Sequence, residues 1–291
     1  MMTENEKQNI QWFPGHMAKT VRQIKSSLSA VDAVAEILDA RIPDSSRNPD
    51  LDSILGNKPR LVILNKADLA DERATKAWIS YYEERGFKAL VVDCKQGKGL
   101  GAVPAAVNEI LKDKIEQNIK KGMVGRAKRL MVVGIPNTGK STFINKLVGS
   151  KKAKAADKPG VTRQNQWFDA RGGIQLLDTP GVLWPKFEDP SVGEKLAFIG
   201  SVKDEIMDLE FLAGKLLLFM REHYPKRLED RYRLDLSENK VGLELLENLA
   251  RKRGMLQSGG YADTERAAVM LLDEFRGGKL GRISLEWPEE N

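Results

Sequence analysis

Eight residues constrain this chain more than any others: Gly134-Ile135-Pro136-Asn137-Thr138-Gly139-Lys140-Ser141. They follow the apolar run Leu130-Met131-Val132-Val133 and lead into the helix-like stretch Thr142 to Val148. A strand that turns at once into a helix through G-x-x-x-x-G-K-S is the sequence form of a phosphate cradle. Gly134 and Gly139 let the backbone turn so that N–H groups, including those of Asn137, Thr138 and Thr142, converge on phosphate, and the new helix adds its positive end. Lys140 supplies a point charge to the terminal phosphates, and the Ser141 hydroxyl is suited to Mg²⁺. Asp178-Thr179-Pro180-Gly181 ends a second run, Ile174 to Leu177. An acidic residue there can hold the same Mg²⁺, while the Gly181 N–H can meet the γ-phosphate. Thr162, between the two motifs, is placed to complete the Mg²⁺ shell in a switch segment.

Asn65-Lys66-Ala67-Asp68 closes the run Leu61 to Leu64. A carboxylate such as Asp68 accepts two hydrogen bonds from the guanine N1–H and 2-amino group, and adenine lacks that donor pair. The mismatch leaves a buried carboxylate unpaired, a penalty of about 1–3 kcal/mol. Asn65 can bond the base and brace the phosphate loop, and the Lys66 stem can cover the base face. After the next run, Ala89 to Val92, come Asp93 and Cys94, where a backbone N–H could reach the guanine carbonyl.

Short apolar runs alternating with helical segments specify an α/β fold, a doubly wound and mostly parallel sheet of the P-loop NTPase kind. Helices are expected near 18–28, 72–85 and 103–121. Beyond about Pro190 apolar residues recur at helical spacing, as in Leu209, Leu212, Leu216 and Phe219. We therefore expect a sheet domain at 1–190 and a smaller all-helical domain at 191–291. The base-reading motifs precede the phosphate loop, the reverse of the order in small GTPases. The same sheet is thus expected in circularly permuted form, its old ends joined by the basic stretch 112–129.

The net charge of +6 favours a polyanionic partner, and a single cysteine, Cys94, rules out an intramolecular disulfide. No apolar run is long enough to span a membrane. We expect a cytoplasmic monomer.

Trp12-Phe13-Pro14-Gly15-His16-Met17, Asp39-Ala40-Arg41-Ile42-Pro43 and the nucleotide motifs, in this order, resemble the circularly permuted GTPases of the YlqF family. The similarity spans nearly the whole chain. It implies a GTP-hydrolysing factor in late assembly of the large (50S) ribosomal subunit. The partner is then the subunit precursor, with its rRNA and ribosomal proteins, bound with GTP and released on hydrolysis. The alternative is a GTP-dependent switch that recruits a non-ribosomal partner.

Many GTPases place a water-orienting glutamine after D-x-x-G, but here Val182 and Leu183 follow. An imidazole can position water, and the resemblance carries that role to His16. Asn137 stands where related GTPases bind K⁺ beside the phosphates, so K⁺ stimulation is implied as well. In the C-terminal part, Arg251, Lys252, Arg253, Lys279 and Arg282, with Tyr232, Tyr261 and Trp287 near them, suit RNA. The same pattern fits a solvated charged face, and it is the resemblance that favours RNA.

Overall fold

The computed structural model describes residues 15–149, 166–236 and 241–288, and of Gly15 and His16 the backbone only. Elements run α1 (Gly15–Ser27), β1 (Ala33–Asp39), α2 (Asp50–Leu55), β2 (Arg60–Asn65), α3 (Glu72–Glu84), β3 (Lys88–Val91), α4 (Val103–Ile110), α5 (Lys112–Lys120), β4 (Lys128–Val133), α6 (Lys140–Val148), β5 (Gln166–Ala170) and β6 (Ile174–Asp178). Five helices follow: α7 (Pro190–Phe198), α8 (Leu209–His223), α9 (Pro225–Tyr232), α10 (Gly242–Lys252) and α11 (Thr264–Arg276).

All seven residues of β1 are buried, because it lies inside the sheet with helices on both faces. The order is β3-β2-β1-β4-β6-β5. Every pairing is parallel except that of β5 with β6, which form an antiparallel edge. Alternate residues of β1 face opposite layers. Ala33, Ala35 and Ile37 pack with Val103 and Val107 of α4 and Phe143 and Ile144 of α6, while Leu38 packs with Trp78 and Tyr82 of α3. The strand and helix expectations hold with shifts of a few residues, except that 103–121 is two helices. The chain turns at Leu111, which is buried, and the polar α5 beyond it has no fully buried residue.

The chain divides into two compact units. Of the described residues, 15–186 and 284–288 form the sheet unit, and the helical unit lies within Phe187–Ile283. The boundary expected at 190/191 thus falls at 186/187. Residues 284–288, expected in the helical domain, belong to the sheet unit. The reason is hydrogen bonding: Leu285 N–H donates to the Arg41 carbonyl (2.9 Å) and Asp71 N–H donates to Ser284 Oγ (3.1 Å). The Glu286 carboxylate accepts from Ser45 N–H (2.9 Å) and Ser45 Oγ (2.7 Å), and its carbonyl from the Trp78 indole (3.3 Å).

In the helical unit α8, α10 and α11 pack together around Leu212, Leu216, Leu245, Leu249, Leu271 and Leu272. Aspartates cap two of these helices, Asp208 accepting from Phe211 N–H and Asp263 from Arg266 N–H. Glu274 on α11 joins it to α9 through Arg231 and Tyr232.

Candidate nucleotide site

The loops after β1, β2, β3, β4 and β6 all leave parallel strands, so they gather at one edge of the sheet, where such folds bind ligands. Asn65 ties three of them together. Its Nδ2 donates to the Thr138 carbonyl in the phosphate loop (2.7 Å), and its Oδ1 accepts the Cys94 N–H (3.1 Å). Asn65 and Cys94 are both buried. The two halves of the permuted set therefore form one site, and the expected brace between Asn65 and the phosphate loop is present.

Gly139 precedes α6 with φ +94°, and a Cβ there would lie 2.3 Å from Asn65 Nδ2. Only glycine meets both demands. Thr138 Oγ1 donates to the Ile135 carbonyl (3.1 Å), as does Lys140 Nζ (2.7 Å). Burial lowers the Lys140 pKa to about 8, although the negative Asp178 draws it back up. Phosphate oxygens would raise it again by favouring the charged form. Ser141 and Thr142 begin α6 half-buried, and Asn137 has φ +62°, rare for a non-glycine residue.

Asp178 ends β6 at 3% exposure. Its Oδ1 is buried without a hydrogen-bond partner, and burial pushes its pKa up to about 6 against the pull of Lys140. A buried carboxylate oxygen lacking a partner, on the strand beside the phosphate loop, fits Mg²⁺ or its water shell. Thr179 Oγ1 fixes the turn by donating to the Val132 carbonyl (2.7 Å). At Gly181 a Cβ would come within 2.8 Å of Pro136 N and 3.0 Å of Lys140 Nζ, so this turn must approach the phosphate loop bare. Val182 and Leu183 are buried, with Val182 N–H donating to the Gly134 carbonyl (3.3 Å) and its carbonyl accepting from Asn48 Nδ2 (3.3 Å). That position cannot hold a water.

Lys66 has φ +60°, and Ala67 N–H donates to the Val92 carbonyl (3.2 Å), which joins the Asn65–Asp68 loop to the end of β3. Asp68 is half-buried. Asp93 is buried and shapes its own turn, its Oδ1 accepting Gln96 N–H (2.9 Å), while its Oδ2 is buried without a partner. The expectation for Cys94 needs correction. Its N–H is spent on Asn65 rather than offered to a base, because the asparagine carboxamide reaches it first. Burial pushes the thiol up to about 12, so it is unreactive at neutral pH. Thr162 and the His16 side chain lie outside the described residues, as do Trp12, Phe13 and Pro14.

The expected RNA-contacting residues are divided. Lys252, Lys279 and Arg282 are exposed, and Arg251 is exposed with a bond to the Gly260 carbonyl. Arg253 instead pairs with Glu274 (3.4 Å) and lies over the Tyr232 ring. Tyr232 is a buried residue whose hydroxyl donates to Glu274 (2.7 Å), so it is no stacking platform. Trp287 belongs to the sheet unit, whereas Tyr261 is exposed within the helical one. Sequence reasoning gave no role to Asp39, Arg41 or Asn48. Only Asp39 and Arg41 left a signal, as part of the family-like segment 39–43.

A family model described as a 50S ribosome-binding GTPase matches residues 129–242. It starts at the phosphate-loop strand and misses the base reader, as a linear model must when the order is permuted. Ribosome biogenesis GTPase A of Bacillus cereus is 48% identical, covering 97% of this chain and 95% of that one. The protein of the same name from Priestia megaterium is 46% identical over 97% of this chain and 98% of that one. A GDP-bound structure of TM YlqF is 31% identical, spans 92% of this chain and 100% of its own, and superposes with a TM-score of 0.68. Identity of this extent, with the permuted order and the assembled site, makes this chain a member of the ribosome biogenesis GTPase A (YlqF) family.

Proposed function

We propose that this GTPase is an assembly factor for the large ribosomal subunit, binding the subunit precursor with GTP and leaving on hydrolysis. The observation that carries the nucleotide part is Asn65, which joins base reader and phosphate loop into one GTP site. The ribosomal part is supported by the names of the full-length relatives.

In this reading Asp68 accepts the guanine donors and Lys66 covers the base. The phosphate-loop amides from Gly134 to Thr142 and the Gly181 N–H bind the phosphates, with Lys140 drawing charge from the γ-phosphoryl group. Ser141, Asp178 and Thr162 hold Mg²⁺, which when bound neutralises charge on the transferring phosphate. Asn137 holds K⁺, which acts there as an arginine finger would. His16 orients the attacking water, a role supported by the burial of Val182 and Leu183. Arg251, Lys252, Lys279 and Arg282 contact rRNA in a cytoplasmic, ribosome-associated protein.

The test is GTP turnover by wild type and His16→Ala, with and without large subunits, in KCl and in NaCl. We expect subunit stimulation in KCl that His16→Ala loses. Full stimulation in the variant would reject the histidine, equal rates in the two salts would reject K⁺, and no stimulation of wild type would reject the ribosomal reading.

A further inference from the structure

Asp39, at the end of β1, is fully buried and is none of the residues assigned to phosphate, base or metal. Its carboxylate faces two cations. Arg41 donates to it from Nε (2.9 Å), Nη2 (2.8 Å) and its own backbone N–H (3.1 Å). Lys66 Nζ lies 3.1 Å from Oδ2. Burial raises the Asp39 pKa, and the two cations more than reverse this, holding the carboxyl well below its usual range. A lysine ammonium on four rotatable bonds samples many rotamers unless something selects one. The selecting group here is itself held by hydrogen bonds. Asp39 N–H donates to Ser46 Oγ (3.0 Å), and the 41–45 turn is held by Leu285 and Glu286.

We infer that Asp39 is a positioning residue for guanine recognition, anchoring the Lys66 ammonium so that the lysine stem stands along the base. The inference rests on reading Asn65–Asp68 as the guanine reader. The bland alternative is that Asp39 serves only Arg41 and the fold. The two make different predictions for a double-mutant cycle, since groups that act through one contact are not additive.

The experiment measures the GDP dissociation constant and melting temperature of the full chain as wild type, Asp39→Asn, Lys66→Met and the double variant. Each single change should weaken GDP binding roughly tenfold to a hundredfold, as expected for a lost charge-assisted bond. The double variant should bind no more weakly than the worse single one, while the melting loss from Asp39→Asn persists in it. Multiplying losses, or an Asp39→Asn protein within about twofold of wild type, would overturn the inference. If Asp39→Asn does not fold, Lys66→Met decides alone, because wild-type GDP affinity without the ammonium leaves Asp39 nothing to position. Asp68→Asn tests the underlying reading separately. It should shift preference from GDP to xanthosine diphosphate, whose 2-oxo group needs a donor. If GDP stays preferred, the guanine reader falls and this inference falls with it. If the preference shifts while the cycle multiplies, only the positioning role falls.

Discussion

Asp178 in the sheet unit and Glu274 in the helical unit are both buried carboxylates, yet their surroundings treat them in opposite ways. Glu274 accepts from Arg231 Nε (2.6 Å) and Nη2 (2.7 Å), the Tyr232 hydroxyl (2.7 Å) and Arg253 (3.4 Å). Those bonds, from Arg231 above all, hold its pKa below the ordinary value. Asp178 keeps one oxygen without a partner, and burial pushes its pKa up. Its neighbour Lys140 is shifted the wrong way too, downward. The helical unit completes its charges with its own residues. In the sheet unit Asp178 and Lys140 leave their charges to be completed by something bound, and that strain marks the working end of the fold.

The difference can be broken most directly at Lys140. Lys140→Ala should cut GTP turnover roughly a hundredfold or more, since a charge aimed at the transferring phosphate is lost. Nucleotide-free protein should melt no lower than wild type, because a desolvated cation has been removed. A clear drop in melting temperature would mean that Lys140 is part of the fold after all.

Glu274→Ala should do the reverse. Removing the carboxylate strands Arg231, Arg253 and the Tyr232 hydroxyl, at a cost of about 2–3 kcal/mol. The figure sits below that for a fully buried pair because each arginine keeps about a third of its side chain in water (32% and 34%). Urea unfolding measures the loss, and GDP affinity should stay unchanged.

Asp178→Asn sharpens the contrast. The amide should raise the melting temperature of nucleotide-free protein by about 2–4 °C, while turnover should fall and need more Mg²⁺ to reach its maximum. A lower melting temperature would show that the carboxylate already has a partner.

The smallest effect concerns acid. Glu274 is depressed in the folded state, so its contribution is complete above its ordinary value of 4.5 and fades as pH falls below it. Glu274→Gln should flatten the decline in stability between about pH 5 and 3, read by urea unfolding at each pH.

Much of this architecture was legible because the residues that make it are local. Leu61–Leu64 and Leu130–Val133 read as buried parallel strands from their apolar runs alone, and each is followed at once by its own motif. The permutation was legible for the same reason, since order needs no geometry. The contacts that set the site were not. Cys94 N–H meets Asn65 across 29 positions, and Lys66 meets Asp39 across a strand pair; neither pairing has a sequence period. Tyr232 and Arg253 looked like an RNA surface because basic and aromatic residues adjoin there, whereas a single acidic residue on α11, Glu274, binds the buried Tyr232 hydroxyl and pairs with Arg253, which stays partly in water. The docking of Ser284 to Glu286 gave no signal, because a short segment bonded to partners more than 200 positions away has no period to read.

That last segment bears on how the protein is made. Residues 284–286 bond to the 41–45 turn, to Asp71 and to Trp78, all of which are synthesised more than 200 residues earlier. A growing chain can form the sheet as soon as β6 has emerged, but the turn at the end of β1 must then wait for these last bonds while the whole helical unit is translated. The unit that comes first along the chain is therefore the last to be finished, and its final hydrogen bonds form only after the other unit already exists.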